Sequence, residues 1–495
     1  MANKKSYTNL FKNSTILGAG AFLSKLIIFL LLPLYSSVMS DAEYGIADLV
    51  AQSSNLLFPI VTLGICQGVF RFAFGKKKDQ SAVFTTGLVM LFAGMAFFTL
   101  ISPLLAQISK ISEYVLLLGM YVFMFALNTL CGSFVRGLGR VKEFALRGVI
   151  CTVFTVIFNL IFLLWFKLGV VGYLLANICA DFVTVLYMFW VCKLLDYIEL
   201  RKMSKALTVE MLKFSVPLIP TTICWWIVNM SDRFMITYMV SDGANGIYAM
   251  AYKVPNLMIV VTGVFVDAWQ MSLVNEENKG RKWGAFFTHI FDGFKSVMFV
   301  GAAFIILFAR LIAALLYKNA FYEAWRYMPF LVIACAFEGI VSFLAVIYIV
   351  KKKSVNSLIC AGIGAAVNLI LNFILIKTMS AMGAAIATMV SYIAVYFITT
   401  YLSRGLVGYK VKLPFLLINF GLLLLQSVLT VTEAPYNIVF SIVITAVILI
   451  INFKSVFRTA KDLLAKRRNG KNKDSENTED KENDSERTAE AAENE

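Results

Sequence analysis

Charged and amide side chains recur at steps of three and four residues inside stretches that are otherwise apolar. Between 45 and 70 the series is Asp48, Gln52, Asn55, Pro59 and Thr62. Between 214 and 239 it is Thr222, Trp226, Asn229, Arg233 and Thr237, and between 245 and 274 it is Lys253, Asn256, Gly263, Asp267 and Gln270. A thinner series, Gly18, Ala21 and Lys25, occupies 11–35. Positions three and four apart share one face of a helix, so each series is a polar stripe along an apolar rod. Small and amide side chains also serve to hold membrane helices together, and that reading suits Gly18, Ala21, Asn55 and Asn256 taken singly. Ions are different, because one at mid-bilayer costs about 3 kcal/mol or more. Lys25, Arg233 and Lys253 are therefore expected to line a polar cavity, with Gln52, Asn55, Asn229 and Asn256 beside them; structural ion pairs and snorkelling to the interface are the alternatives. Asp48, Asp232, Asp267 and Glu338 either balance these cations or carry protons, and the sequence leaves both open. His289, Asp292 and Lys295 read as an interfacial polar cluster.

These stripes need helices long enough to cross a bilayer. Of 495 residues, 59% are apolar and 15% charged, and the mean hydropathy is +0.77. Ordinary soluble domains carry about 25% charged residues, and a single core stops growing at about 250–300 residues. A soluble enzyme, a disordered scaffold and a nucleic-acid binder are thereby excluded, leaving an all-α polytopic membrane protein. A span needs about 20 mostly apolar residues. Fourteen stretches qualify, near 11–35, 45–70, 81–108, 113–135, 145–166, 170–192 and 214–239 in the first part of the chain. The others lie near 245–274, 285–309, 324–350, 357–376, 383–402, 413–431 and 436–453.

Lys and Arg orient these spans. With the N-terminus taken as inside, the inner loops and termini hold 35 of the 45 Lys/Arg, the outer loops six, and the spans four. One missed span would invert every later loop, so the expectation is fourteen spans with both termini cytoplasmic. The net charge of +15 then reflects topology and attraction to anionic lipid, with no nucleic acid implied. The basic N-terminus leads into an apolar stretch too long for a signal-peptide core and reads as a membrane anchor. From Lys471 to Glu495 ten acidic and four basic residues accompany no large apolar side chain, the composition of a disordered tail. The eight cysteines sit in or beside apolar runs with no CxxC pair, which implies neither a disulfide framework nor a zinc site. GxxxxGK[ST], HExxH and G-x-S-x-G are absent, and the longest loops have about twenty residues. No cofactor or catalytic group is implied; a transporter fits best.

An internal repeat organises the chain. Ser40-Asp41-Ala42-Glu43-Tyr44-Gly45-Ile46 matches Ser241-Asp242-Gly243-Ala244-Asn245-Gly246-Ile247 at four of seven positions, 201 residues apart. Asn159-Leu160-Ile161 recurs as Asn368-Leu369-Ile370, and Gly172/Ala176 as Gly383/Ala387. All three matches fall on equivalent spans. They divide the chain into an N-lobe (1–192), an amphipathic cytoplasmic linker helix (193–213), a C-lobe (214–412), a final pair of spans (413–453) and the cytoplasmic tail (454–495). Two pseudo-symmetric six-helix lobes beginning on the same side are parallel repeats, with a substrate site expected between them.

The opening LSKLIIFLLLPLYSSVMSDAEYGIADLV, the loop VRGLGRVKEFALRGVI, the segment FSVPLIPTTICWWIVNMSDRFMITYMVSDGANGIYAMAYKVP and NLILNFILIKTMSAMGAAIAT resemble those of bacterial polysaccharide and O-antigen flippases. That family sits in the multidrug/oligosaccharidyl-lipid/polysaccharide exporter superfamily, and the resemblance covers about 1–455. It implies a two-lobe, alternating-access transporter in the bacterial cytoplasmic membrane, moving an undecaprenyl-diphosphate-linked oligosaccharide from the cytoplasmic to the outer leaflet. It further implies a cationic central cavity where Lys25, Arg233 and Lys253 fall, and a lipid-tail groove at the last two spans. Implied partners are the lipid-linked glycan, membrane lipids, and the polymerase and glycosyltransferases handling that glycan. Two alternatives stand beside it. A multidrug exporter of the same fold would favour an acidic, aromatic cavity, and a membrane-embedded polymerase would carry a large outer loop with arginines.

Overall fold

The structure is a computed structural model, and it describes residues 27, 29–74, 79–276, 283–351, 353–455 and 457. All regular structure among them is helical. In chain order the first half holds α1 (Leu32–Val38), α2 (Asp41–Val61), α3 (Ile65–Ala73), α4 (Gln80–Leu105), α5 (Val115–Gly137), α6 (Val141–Asn159) and α7 (Gly169–Val191). There follow α8 (Lys205–Ser215), α9 (Ile219–Met239), α10 (Asp242–Lys253), α11 (Asn256–Glu276) and α12 (Trp283–Leu316). The last are α13 (Met328–Val350), α14 (Ser354–Val407), α15 (Leu413–Val431) and α16 (Asn437–Ser455). Among the described residues, ten helices are long and apolar enough to cross a membrane, or eleven when the bent pair α2–α3 counts as one span. Most of the expected first stretch, 11–35, and the tail beyond 457 lie outside the described residues.

Local chemistry sets where these helices begin and break. Ser40 and Glu43 form a reciprocal capping box at the start of α2, which satisfies donors that the first turn leaves unpaired. Asp79 caps α4 through the amides of Ser81 and Ala82, and Ser241 caps α10 through that of Ala244. Pro59 lies inside α2, and Leu63 and Gly64 adopt positive φ of 49° and 65°, so α3 leaves at 60° to α2. Pro255 stands between α10 and α11, where its ring cannot donate to the preceding turn. At 1.5 Å per residue, the 54 residues of α14 would reach about 80 Å, against a hydrocarbon core of about 30 Å. Ser380 (φ 53°, ψ −140°) breaks it. The chain folds back there, for Gly364 meets the Val395 side chain and Gly383 meets the Leu375 carbonyl.

The segment 193–213 is not one helix, contrary to its amphipathic pattern. Lys193 adopts a left-handed conformation, and two 3₁₀ turns, Leu194–Tyr197 and Leu200–Lys202, follow it. The α-helix begins only where the Ser204 hydroxyl accepts from the Leu207 amide. Pattern alone could not show that the backbone turns before that cap.

Two apolar clusters hold the bundle. A small one under α3, α4, α5 and α8 includes Ile65, Val69, Phe84, Phe134 and Met211. The large one runs across the middle of the chain, joining Tyr44, Ala47 and Leu49 of α2 to Tyr248 and Ala249 of α10 and to most of α13. Helix α13 is almost wholly buried, whereas α4, α6 and α16 turn much of their apolar surface outward, as lipid-facing helices do.

Candidate functional site

The polar stripes of α2, α9 and α10 meet at a crossing made close by two glycines. A side chain added at Gly45 would sit 2.0 Å from the Asp242 carbonyl oxygen, and one at Gly246 would sit 2.0 Å from that of Asp41. Neither position has room for a Cβ. The two copies of the Ser-Asp…Gly motif therefore touch each other reciprocally, and Asn245 Nδ2 adds a hydrogen bond to the Gly45 carbonyl (2.9 Å). Lys110 Nζ pairs with Asp242 at 2.6 Å on the same rim.

One turn along α2 from Gly45, Asp48 accepts from Arg233 Nη1 of α9 at 2.5 Å. Both side chains are almost completely buried, 1% and 4% exposed. Removing two charges from water costs several kcal/mol each, offset only by good geometry and further hydrogen bonds. Those bonds are present: Gln52 Nε2 donates to Asp48 (3.3 Å) and Asn55 Nδ2 to Gln52 Oε1 (2.9 Å). The guanidinium lies over the Tyr252 ring, 5.4 Å from its centroid. Trp226 Nε1 of α9 donates to the Gln52 carbonyl of α2 (3.1 Å), so the two helices stay joined past the ion pair.

The network continues away from α2. Asp232 accepts hydrogen bonds from the Tyr248 hydroxyl and, at 3.3 Å, from the Thr388 hydroxyl of α14. Its neighbour Ser231 donates to Asn368 (3.0 Å), which also accepts from Asn372 (2.9 Å). The Tyr392 hydroxyl donates to Asn229 Oδ1. It also interacts with Glu338 of α13. A cavity of about 330 Å³ opens there between α9, α13 and α14, lined by Trp225, Asn229, Glu338, Ser342 and Ser357 among others.

The stripe residues thus divide. Asp48, Gln52, Asn55, Asp232 and Arg233 share one hydrogen-bonded network, and Arg233 is dry and paired in this conformation. Lys253 is half-buried at the end of α10, close enough to act electrostatically on Asp48. Asn256 is half-buried at the start of α11. Asn229 and Glu338 face the cavity. Asp267 lies on α11 with its side chain outside the described positions, and Lys25 lies outside the described residues. Lys295 is fully buried, 3.0 Å from Asp292, which also pairs with Lys412 at 3.1 Å.

One cluster escaped the sequence reading. Asp181 of α7 is 6% exposed and accepts from Asn128 Nδ2 of α5 at 2.5 Å and from the Cys151 thiol of α6 at 3.5 Å. Arg147 Nη1 donates to the Asn128 carbonyl (2.9 Å) and Oδ1 (3.2 Å). The signal was available, since a lone acid inside an apolar stretch is costly unless it is used.

Residues 10–269 match the model of a family described as "Polysaccharide biosynthesis protein". The chain belongs to that family. Among curated proteins none matches, but solved structures share the fold. A lipid II flippase MurJ in an inward closed conformation aligns with TM-score 0.65 at 14% identity, covering 91% of this chain and all of its own. An inward-facing multidrug resistance MATE transporter of the MOP superfamily aligns at 0.60 and 16% identity, covering 79% of this chain and 95% of that one. A MOP superfamily transporter from Pyrococcus furiosus, described as having a binding pocket of reversed polarity, aligns at 0.59 and 17% identity over 80% of this chain and 96% of that one. This member of the polysaccharide biosynthesis family is therefore an all-α polytopic membrane protein with the fold of the MOP superfamily.

Proposed function

We propose that this protein translocates an undecaprenyl-diphosphate-linked oligosaccharide across the bacterial cytoplasmic membrane by alternating access. The observation supporting it most is the Asp48–Arg233 pair, a membrane-buried salt bridge joining helices from the two halves of the chain. Ionisable groups in the membrane mark transport routes by default. In this reading the chain has fourteen spans, with α14 supplying two across the Ser380 break and α10–α11 forming one broken at Pro255. Two six-span lobes, 1–192 and 214–412, rock against each other and meet at the Gly45–Gly246 crossing, and the pair 413–453 and the tail 454–495 are additions. The positive-inside distribution of Lys and Arg makes both termini cytoplasmic and puts that crossing at the outer face, so the conformation described is closed outward.

The mechanism follows from electrostatics. A diphosphate cannot cross hydrocarbon unaided; cations in a chamber shielded from lipid offset that cost, while the polyprenyl tail stays in the bilayer. Lys253 and Lys25 attract the headgroup from the cytoplasmic side. Asp48 neutralises Arg233 while the outer end is shut, and the arriving diphosphate competes with Asp48 for that guanidinium. Loss of the bridge leaves the Trp226–Gln52 hydrogen bond as a remaining tie between α2 and α9, and release of both opens the outer end. Asp232, held by two hydroxyl donors, is the residue we assign to coupling with a proton or cation.

A charge swap separates this role from mere bracing. Arg233→Glu with Lys253→Glu should abolish glycan export by inserted protein. Asp48→Arg with Arg233→Asp should rebuild the bridge and restore thermal stability, yet leave export at background. Full export by the swapped protein would sink the proposal.

A further inference from the structure

The cavity between α9, α13 and α14 carries chemistry that a diphosphate does not use. Its wall presents an indole (Trp225), a carboxyl group (Glu338), an amide (Asn229) and two hydroxyls (Ser342, Ser357), with no cation among the described lining residues. A phosphate placed there would meet a carboxyl group and no lysine or arginine among the described lining residues to offset its charge. A ligand rich in hydroxyl groups meets the opposite situation. A carboxyl group accepts through its oxygens and, when protonated, also donates one O–H, so Glu338 suits ligand hydroxyl groups in either state. The amide and serines both donate and accept, and the indole offers a flat apolar face with a polar edge.

These groups are also fixed relative to one another. Asn229 Nδ2 donates to the Trp225 carbonyl (3.1 Å), a single turn back on α9, and Asn229 Oδ1 accepts from the Tyr392 hydroxyl. That same hydroxyl interacts with Glu338. One tyrosine thus registers the amide of α9 against the carboxylate of α13. At about 330 Å³ the space stands near the low end for small-molecule sites.

We propose that this cavity is a saccharide subsite that seats one sugar ring of the cargo, with the ring packed on Trp225 and its hydroxyls on Glu338 and Asn229. The inference rests on the transport reading above and adds a placement to it. Asn229 and Arg233 are four residues apart on one helix, a rise of about 6 Å. A sugar in the cavity and a diphosphate directed toward Arg233 would therefore lie next to each other along α9, as a sugar bonded directly to a diphosphate requires.

The test uses the full-length protein in lipid nanodiscs and four probes. These are undecaprenyl diphosphate alone and the same lipid carrying one glucose, one galactose or one N-acetylglucosamine. At least one sugar-bearing probe should bind about tenfold more tightly than the bare lipid, the scale of one or two added hydrogen bonds. Glu338→Gln and Trp225→Leu should each remove that gain and leave the affinity for the bare lipid unchanged. Ser342→Phe, which fills the cavity from its wall, should do the same if either of those variants fails to fold. Equal binding of all four probes, or a gain that survives the variants, overturns the subsite and leaves the diphosphate reading standing. Failure of the bare lipid to bind wild-type protein overturns the transport reading, and the subsite with it.

Discussion

Two buried clusters in this molecule use the same three ingredients, an arginine, an aspartate and an amide, in different ways. At the crossing of α2 and α9, Arg233 meets Asp48 directly and Gln52 supports the carboxylate. Within α5, α6 and α7, Arg147 reaches the backbone and amide oxygen of Asn128, and Asn128 in turn donates to Asp181. The first arrangement joins segments 185 residues apart; the second lies within one run of neighbouring helices. A direct ion pair is the stronger bond and the one that costs most when a partner leaves. It suits a contact that is either fully made or fully broken. An amide relay keeps a carboxylate satisfied while its helices travel together.

Arg233→Leu should have the largest effect, because it strands Asp48 in a dry site. The expected cost is about 3–5 kcal/mol, seen as a large drop in thermal stability in detergent. The double variant Asp48→Leu/Arg233→Leu should recover most of that loss. If the single variant is as stable as wild type, the distinction between the clusters fails.

Gly45→Ala should come next. Its new methyl group has to displace the Asp242 carbonyl, at about 1–3 kcal/mol for an overpacked contact. Spin labels at residues 42 and 243 should report a longer and broader distance, while labels on α5 and α7 should not move relative to each other.

Asp181→Asn tests the other side of the comparison. It keeps an acceptor for Asn128 and should cost about 1 kcal/mol, with the α5–α7 spacing intact. A loss as large as that of Arg233→Leu would show that the relay is no gentler than the bridge.

The smallest effect should come from α15 and α16, where Asn452 Nδ2 donates to Asn419 Oδ1 (2.6 Å) and Gln426 Nε2 to Thr445 Oγ1 (3.1 Å). Thr445→Val should cost about 0.6 kcal/mol, the usual yield of one such bond between membrane helices, in the same unfolding assay.

Much of this was legible in the sequence, for reasons that differ by residue. Helix placement follows from hydropathy, since a bilayer imposes both length and composition. The motif repeated at an offset of 201 marked Gly45 and Gly246 as equivalent positions, though not that they would touch. Steps of three and four brought Asp48, Gln52 and Asn55 onto one face, as they did Asn229 and Arg233. The partner of each charge was not legible. A stripe gives the face of a helix but not which other helix packs on it, so the Asp48–Arg233 pairing waited for coordinates. Arg147 reads among the cations of a basic loop, and Asp181 stands alone in its stretch; only tertiary packing sets them around Asn128. The break at Ser380 falls in the gap that hydropathy left between the stretches 357–376 and 383–402, whereas the positive φ at Lys193 is unannounced.

The glycine crossing has one more consequence. Where α2 and α10 cross at Gly45 and Gly246, main chain lies on main chain, fastened by the Asn245 amide on the Gly45 carbonyl. Such a seam cannot ajar by degrees. If the two halves move as proposed, parting it would take a shift of whole helices, and small ions would find no leak at that end before the shift is complete.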